Sequence, residues 1–510
     1  MPSLPHSCSR ASARPRGEIA VSVAIACMAT LASCSAVGPD FVRPDVDPAA
    51  DWSQRHGGSP ELSAPAAAAA AAATLPADRW AVFGDPELTH LQALAAAANQ
   101  DIKTAALRVL QSRVDEATVS AQRGLQVQGH GGVARQRQSE SGASARLVNV
   151  IGGANKQTLL DALSAPFTLY QAGFDASWEP DLWGRVLRSE EAVKAGTEGQ
   201  RAALRQAQLS VAAELARSYF SMRAAQRQQQ FLRAELAAAR ETMQLLDAQF
   251  RGGLTDESTV SRQRAQVASL ESIWPAEQAQ EALAMNQITL LCGMTPGTLN
   301  AELAFDGTQF DSHQLPDLRL GLPSDLAHRR PDVQAAETRL HAATAGIGIA
   351  VADLYPRITL GASFGLESVA SSKFGDWGSR QWSAGPSLSI AIFDQGRRRA
   401  TIVLRELQQQ EAAVAYQQVV LNAWHEVDDS ISSYVVETRR TSRIAERLRL
   451  SESDADIAQA RFANGLTTFL PVLSASTLSL DAKRDLSDSR ARAQTALVAI
   501  YKSLGIGAAP

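Results

Sequence analysis

Four stretches of the chain alternate between apolar and polar residues. In 358–365, Ile358, Leu360, Ala362 and Phe364 share one face, and Thr359, Gly361, Ser363 and Gly365 take the other. In 382–392, Trp382, Ala384, Pro386, Leu388, Ile390 and Ile392 alternate with Ser383, Gly385, Ser387, Ser389 and Ala391. Further upstream, Tyr170, Ala172, Phe174, Ala176, Trp178 and Leu182 oppose Gln171, Asp175, Ser177, Glu179 and Asp181. A fainter stretch near 125–135 sets Leu125, Val127 and Val133 against Gln126, Gln128 and His130. A period of two predicts strands. Strands of about ten residues with one apolar and one polar face fit a transmembrane barrel. A soluble sandwich that buries one face is the alternative. In a barrel the polar face lines the lumen, so Asp175, Glu179 and Asp181 are candidate lumen residues.

The rest of the pattern is helical. Leu232, Leu236, Ala239, Met243, Leu246 and Phe250 recur at spacings of four and three, which is a coiled-coil seam. Helices are expected at about 86–122, 185–250, 257–292, 325–353, 397–462 and 468–504. At 1.5 Å per residue the second would be on the order of 100 Å long. The plan is repeated. Phe250-Arg-Gly-Gly-Leu-Thr255 matches Phe462-Ala-Asn-Gly-Leu-Thr467 at an offset of 212 residues, and the same offset carries Gly184-Arg185 onto Gly396-Arg397 and Gly293 onto Gly505. Asp101, Ile102, Ala105 and Arg108 match Asp332, Val333, Ala336 and Arg339 at an offset of 231, so the first copy holds 19 extra residues between Ala121 and Phe174. The chain is a duplicated unit. A first repeat spans 79–300, with a β-hairpin at about 125–183. A connecting segment covers 301–324. A second repeat spans 325–510, with a hairpin at about 356–394.

One chain therefore offers four strands. Four cannot close, and open edges are not tolerated in lipid. Eight would enclose only side chains. Twelve leave room for water, so counting points to a homotrimer.

The amino terminus adds an address. Arg10, Arg14 and Arg16 precede an uncharged, mostly apolar run from Ile19 to Ala32, too short to span a bilayer. Residues 1–33 read as a secretory signal. Leu31-Ala32-Ser33-Cys34 resembles the lipobox of bacterial lipoproteins, which implies acylation of Cys34. Ser35, in place of an aspartate, implies an anchor in outer-membrane lipid. Residues 34–78 read as anchor and linker, with an alanine-rich low-complexity run at 65–74.

Composition narrows the chemistry. The formal charge of −4 becomes −6 once residues 1–33 are removed, and no basic patch suggests nucleic acid. Cys8 and Cys27 lie in the signal and Cys34 would be acylated. Cys292 alone remains, which leaves no intrachain disulfide and no cysteine metal cluster. No apolar run after residue 33 approaches 20 residues. His425-Glu426-Val-Asp-Asp429 lacks the second histidine of a zinc-protease helix, and Gly346-Ile-Gly348 lacks the third glycine of a dinucleotide loop. No cofactor, metal site or catalytic constellation is expected. Arg185, Arg188 and Arg397–Arg399 follow the strand-to-helix turns. They would face anionic groups at the barrel rim or pair with carboxylates such as Asp181 and Asp394.

Several longer motifs resemble a known family. These are Val37-Gly38-Pro39-Asp40-Phe41 with Arg43-Pro44; Trp80, Phe83-Gly84-Asp85 and Leu88; Asp175-Ala-Ser-Trp-Glu179 followed by Asp181-Leu-Trp-Gly-Arg185; Arg329-Arg-Pro-Asp-Val333 with Ala336-Glu337 and Tyr355-Pro356; and Tyr501-Lys-Ser-Leu-Gly505. Together they resemble the outer-membrane efflux lipoproteins of the OprM/NodT type, which are TolC-like outer membrane factors. The resemblance implies a mainly α fold with a transmembrane β-barrel: a homotrimer forming a twelve-stranded barrel and an α-helical periplasmic barrel. It implies docking to a periplasmic adaptor and an inner-membrane pump of the RND class, and a passive exit duct rather than an enzyme. The same duct serving a protein or polysaccharide secretion system is the alternative.

The sequence departs from that family in three places. Leu125 stands where a proline usually starts the first strand. Pro180 replaces an apolar residue. At the periplasmic tip the family often carries Leu-Asp-Ala-Gln-Arg after the second turn, and its acid and arginine help tie the closed end. Here the run is Leu473-Ser-Ala-Ser-Thr477, so Ser474 and Thr477 cannot form that pair. Thr467 marks the second tip turn. Asp256 and Glu257 mark the first, where they would form a ring of carboxylates favouring cations or simply complement a helix start.

Overall fold

A computed structural model describes residues 36–44, 80, 83–142, 153–305 and 329–505. Cys34, the signal and most of the linker lie outside these residues. The described chain begins with α1 (Pro86–Ala98) and α2 (Gln100–Ser120), followed by β1 (Gln126–Gln136), α3 (Lys156–Ser164) and β2 (Phe167–Trp178). Two long helices follow, α4 (Arg185–Arg251) and α5 (Glu257–Leu291). The second copy supplies α6 (Pro331–Ala352), β3 (Arg357–Ser368), β4 (Arg380–Ser389), α7 (Arg397–Ala463) and α8 (Phe469–Ser503). The duplication is visible in the lengths: α4 and α7 have 67 residues each, and α5 and α8 have 35 each.

The expected helix at 86–122 is two helices. Asn99 ends the first with an extended ψ of 133°. Its Oδ1 then accepts from the amides of Asp101 and Ile102 at 2.9 and 3.1 Å, restarting the second, while its Nδ2 donates to the Leu291 carbonyl at 2.9 Å. An asparagine at a helix start satisfies amides that the helix itself cannot.

The chain divides into two compact units, each drawing on both repeats. The first combines 113–195 and 341–410 with the amino-terminal residues up to Val42. Its centre is one antiparallel sheet in the order β1-β2-β3-β4. Cross-strand partners share a face, and the row Gly129, Phe174, Phe364, Trp382 runs across all four strands. That face is apolar and open: Phe174 is 63% exposed, Phe364 49% and Trp382 72%. The next row, Gln128, Asp175, Ser363, Ser383, lies on the polar face. The strands end earlier than their alternation suggested. β2 stops at Trp178 because Pro180 lacks an amide to donate and Asp181 turns with a φ of +46°. β4 stops at Ser389, and Ile390 and Ile392 lie beyond it as exposed apolar residues.

The second unit comprises 43–112, 196–340 and 411–510. It is helix packed on helix. Leu232, Leu236 and Ala239 of the predicted seam are buried with Val267, Leu270 and Leu480, and Leu246 is buried with Val260, Phe469 and Val472. Phe250 closes the seam at 42% exposure. Two helical turns punctuate this unit in identical fashion. Leu254 N donates to the Gln249 carbonyl at 2.8 Å and Gly253 N to Phe250 at 3.0 Å; Leu466 N donates to Arg461 at 2.8 Å and Gly465 N to Phe462 at 2.9 Å. These paired bonds form a Schellman motif. Gly253 and Gly465 supply its left-handed residue at φ +72° and +69°.

Candidate functional site

The polar sheet face carries a short hydrogen-bond ladder. Asp175 Oδ2 lies 3.0 Å from His130 Nδ1, Gln171 donates to Glu367 at 2.7 Å, and the hydroxyls of Ser363 and Ser383 meet at 2.8 Å. Of the three lumen candidates, only Asp175 is on a strand. Glu179 and Asp181 sit at the junction where β2 passes into α4. There Asp181 Oδ1 and Oδ2 accept from the amides of Val186 and Leu187 at 3.0 and 2.9 Å, so its carboxylate starts the long helix. Glu179 accepts two bonds from Arg185, at 3.3 and 3.0 Å. These groups line a cavity of about 170 Å³ shared with Asp353, Arg357 and Arg398. The turn is braced by Trp183, which stacks on Tyr355 with centroids 4.7 Å apart and donates to the Pro356 carbonyl at 2.8 Å. Of the arginines after the turns, Arg185, Arg188 and Arg398 pair with carboxylates, Arg398 with the expected Asp394 at 3.8 Å and the other two with glutamates. Arg185 takes Glu179, whereas Asp181 serves as a cap. Asp394 caps the other copy through the amides of Gly396 and Arg398 at 3.0 and 3.2 Å.

Arg188 does something the sequence did not announce. It is buried and clasps the segment that follows Cys34. It donates to the carbonyls of Val37 at 3.2 Å and Gly38 at 3.4 Å, to Asp40 at 2.7 Å and to Glu191 at 2.7 Å. Phe41 of the same segment stacks on His341 at 4.4 Å, and His341 Nε2 lies 2.8 Å from Glu191. Gly38 has a φ of +94°, and a Cβ there would stand 2.5 Å from the Gly348 Cα. The Val-Gly-Pro-Asp-Phe run was the only signal. Its partners lie some 150 residues away at Arg188 and 300 residues away at His341.

The tip candidates fall at the two helical turns. Asp256 is the N-cap of α5: its Oδ1 accepts from Thr259 N at 2.7 Å and from the Ser258 hydroxyl at 2.8 Å, and these bonds hold its carboxyl below the usual range. Glu257 is exposed in the first turn. Thr467 lies in the turn before α8, whose N-cap Thr468 makes no side-chain cap bond. Ser474 is exposed on α8, and the Thr477 hydroxyl donates to the Leu473 carbonyl of its own helix at 2.8 Å. Among the described residues, neither side chain bonds to another helix of the chain.

A part-buried polar network holds α1 and α5 to α4 in the second unit. The Tyr219 hydroxyl donates to Asp85 at 2.6 Å, Arg223 pairs with Glu87 and lies 5.0 Å from the Tyr219 ring, and Gln226 reaches Glu281 at 2.8 Å. Burial pushes the Glu87 carboxyl up, against the pull of Arg223. No described helix is long and apolar enough to cross a membrane.

The family model for the outer membrane efflux protein matches residues 91–294 and 322–506. The chain belongs to that family. It is 29% identical to the outer membrane protein OprJ of Pseudomonas aeruginosa over 484 residues, covering 94% of both chains. It is 30% identical to the pyoverdine export outer membrane protein OpmQ of the same organism over 435 residues, 84% of this chain and 87% of OpmQ. Among solved structures, the outer-membrane channel OprN is similar at a TM-score of 0.79 and 29% identity, over 93% of this chain and all of that one. Membership in the outer membrane efflux family accounts for the exposed apolar sheet face. This chain is the outer-membrane channel component of an efflux pump, with its helical part in the periplasm.

Proposed function

We propose that three chains close their sheets into one twelve-stranded barrel and conduct small molecules passively from a periplasmic adaptor and an RND-type inner-membrane pump to the exterior. One observation carries this reading. The sheet has an apolar face open to its surroundings and two unpaired edges, β1 and β4. Lipid suits the face, but neither edge is stable there until neighbouring copies pair edge to edge. The ladder around Asp175 then faces the lumen. Cys34 is acylated and anchors each chain in outer-membrane lipid. The turns at Asp256 and Thr467 form the periplasmic tip, where the adaptor docks. Without an acid and an arginine at Ser474 and Thr477, the resting tip is closed by other contacts. The energy comes from the pump, and no reaction is catalysed by the duct.

A photo-crosslinker placed at Thr467 in intact cells tests the reading. Capture of an efflux adaptor, together with a trimer on native gels, is the expected result. Capture of a secretion-system adaptor would reassign the cargo to polymers, and a monomer in lipid would overturn the barrel.

A further inference from the structure

The edge strands carry two cations on the wrong face for a lumen. On β4, Arg380 pairs with Leu366 of β3 and so shares the apolar face with Trp382. On β1, Arg135 shares that face with Val133, two residues before it. Both lie at the end of the sheet away from the strand-to-helix junctions, which is the outer end because the helical part is periplasmic. Arg380 is held in place. Its Nη1 donates to the Trp377 carbonyl at 2.7 Å and its guanidinium carbon stands 4.3 Å from the Trp377 ring centroid. Trp377 is itself 73% exposed. Arg135 is exposed as well.

The nearby acids are committed or balanced. Glu367 is on the polar face, bonded to Gln171 at 2.7 Å, and Glu140 is taken by Arg137 at 2.7 Å. The connection between β3 and β4 holds one acid, Asp376, beside one base, Lys373. Asp161 of α3 accepts from Gln157 at 3.1 Å. Among the described residues, neither guanidinium forms an ion pair on this lipid-facing surface. Arginine there is costly in hydrocarbon and tolerable at the interface. Its planar fork matches phosphate, and Arg380 is already oriented by its indole. β1 and β4 are the two edges, so in the trimer Arg135 of one protomer and Arg380 of its neighbour lie on strands that pair across a seam.

We propose that this outer rim binds the phosphate groups of a phosphorylated glycolipid in the outer leaflet. The seam geometry rests on the trimeric barrel proposed above. Each basic residue near an anionic membrane surface contributes about fivefold to binding, so removing both lowers retention roughly 25-fold. The test uses full-length protein, native and R135Q/R380Q, in detergent. Each is offered lipid A with its two phosphates, the same lipid dephosphorylated, and inorganic phosphate as competitor, and bound lipid is counted by native mass spectrometry. The native protein should prefer the phosphorylated form, the double variant should retain both forms alike, and R135K/R380K should fall between them. Equal retention of both lipids by the native protein, undiminished retention by R135Q/R380Q, or full displacement by inorganic phosphate would overturn the proposal. Bilayer conductance separates the two readings. A native trimer that conducts without lipid preference sinks the lipid site alone, whereas a protein that neither trimerises nor conducts sinks the barrel and the seam with it.

Discussion

Replacing Arg188 by methionine (R188M) keeps the hydrocarbon packed beside Gly348 and removes every bond the guanidinium makes to the amino-terminal segment, leaving the bond from Val37 N to the Trp183 carbonyl at 3.2 Å and the stack of Phe41 on His341. The bond to Asp40 is worth little, because that carboxylate is 88% exposed. The carbonyls of Val37 and Gly38 each lose a donor, at about 1 kcal/mol apiece. Glu191 loses its arginine while half-buried, and keeps only His341. Together these amount to about 2–4 kcal/mol. The segment 36–42 should become protease-sensitive, and the detergent-solubilised protein should melt several degrees lower by circular dichroism. The acid limb gives a second check. Burial raises the Glu191 pKa, but the bonds from Arg188 and His341 outweigh it and leave it lowered. A depressed folded pKa gives stability that is complete above the unfolded carboxylate value and is lost as pH falls through the folded one. The gap between native protein and R188M should therefore be widest near neutrality and narrow below about pH 4. An unchanged melting temperature with an equally resistant segment would refute the clasp.

Three other outcomes are expected. Leu232→Ala empties a fully buried seam position and should cost about 3–5 kcal/mol in denaturant unfolding, with Val267 and Leu270 unable to collapse onto it. The Cys292 thiol, pushed up to about 11 by burial and by nearby Glu302, should resist maleimide in the native protein at pH 8 and react only on unfolding. Asp256→Ser keeps a capping oxygen and removes the charge. If the acid serves as a constriction, cation selectivity in bilayers falls at constant stability; if it serves as a cap alone, neither changes.

The parts of the fold that were legible were those set by periodicity. The offset of 231 carries Gln126 onto Arg357, where β1 and β3 begin, and the connection 137–166 exceeds 369–379 by the predicted 19 residues. Strand ends were less legible, because alternation continues on paper through Glu179 and Asp181 while proline and a left-handed residue have already turned the chain. The break at Asn99 and the grip of Arg188 were the least legible, their local traces being one capping asparagine and the Val37–Phe41 run. Each also uses a carbonyl supplied from far along the sequence, at Leu291 or at Val37, and local pattern does not reveal which one.

The four-stranded sheet also dictates how the protein must be made. An isolated copy presents bare backbone along β1 and β4 and a greasy surface between them, the combination that drives off-pathway clumping. Maturation is thus a race whose productive branch needs three chains to meet, and which dilution slows more steeply than the misfolding of a single chain. Expression level, escort proteins and confinement to a surface therefore govern its yield more than the stability of any one helix.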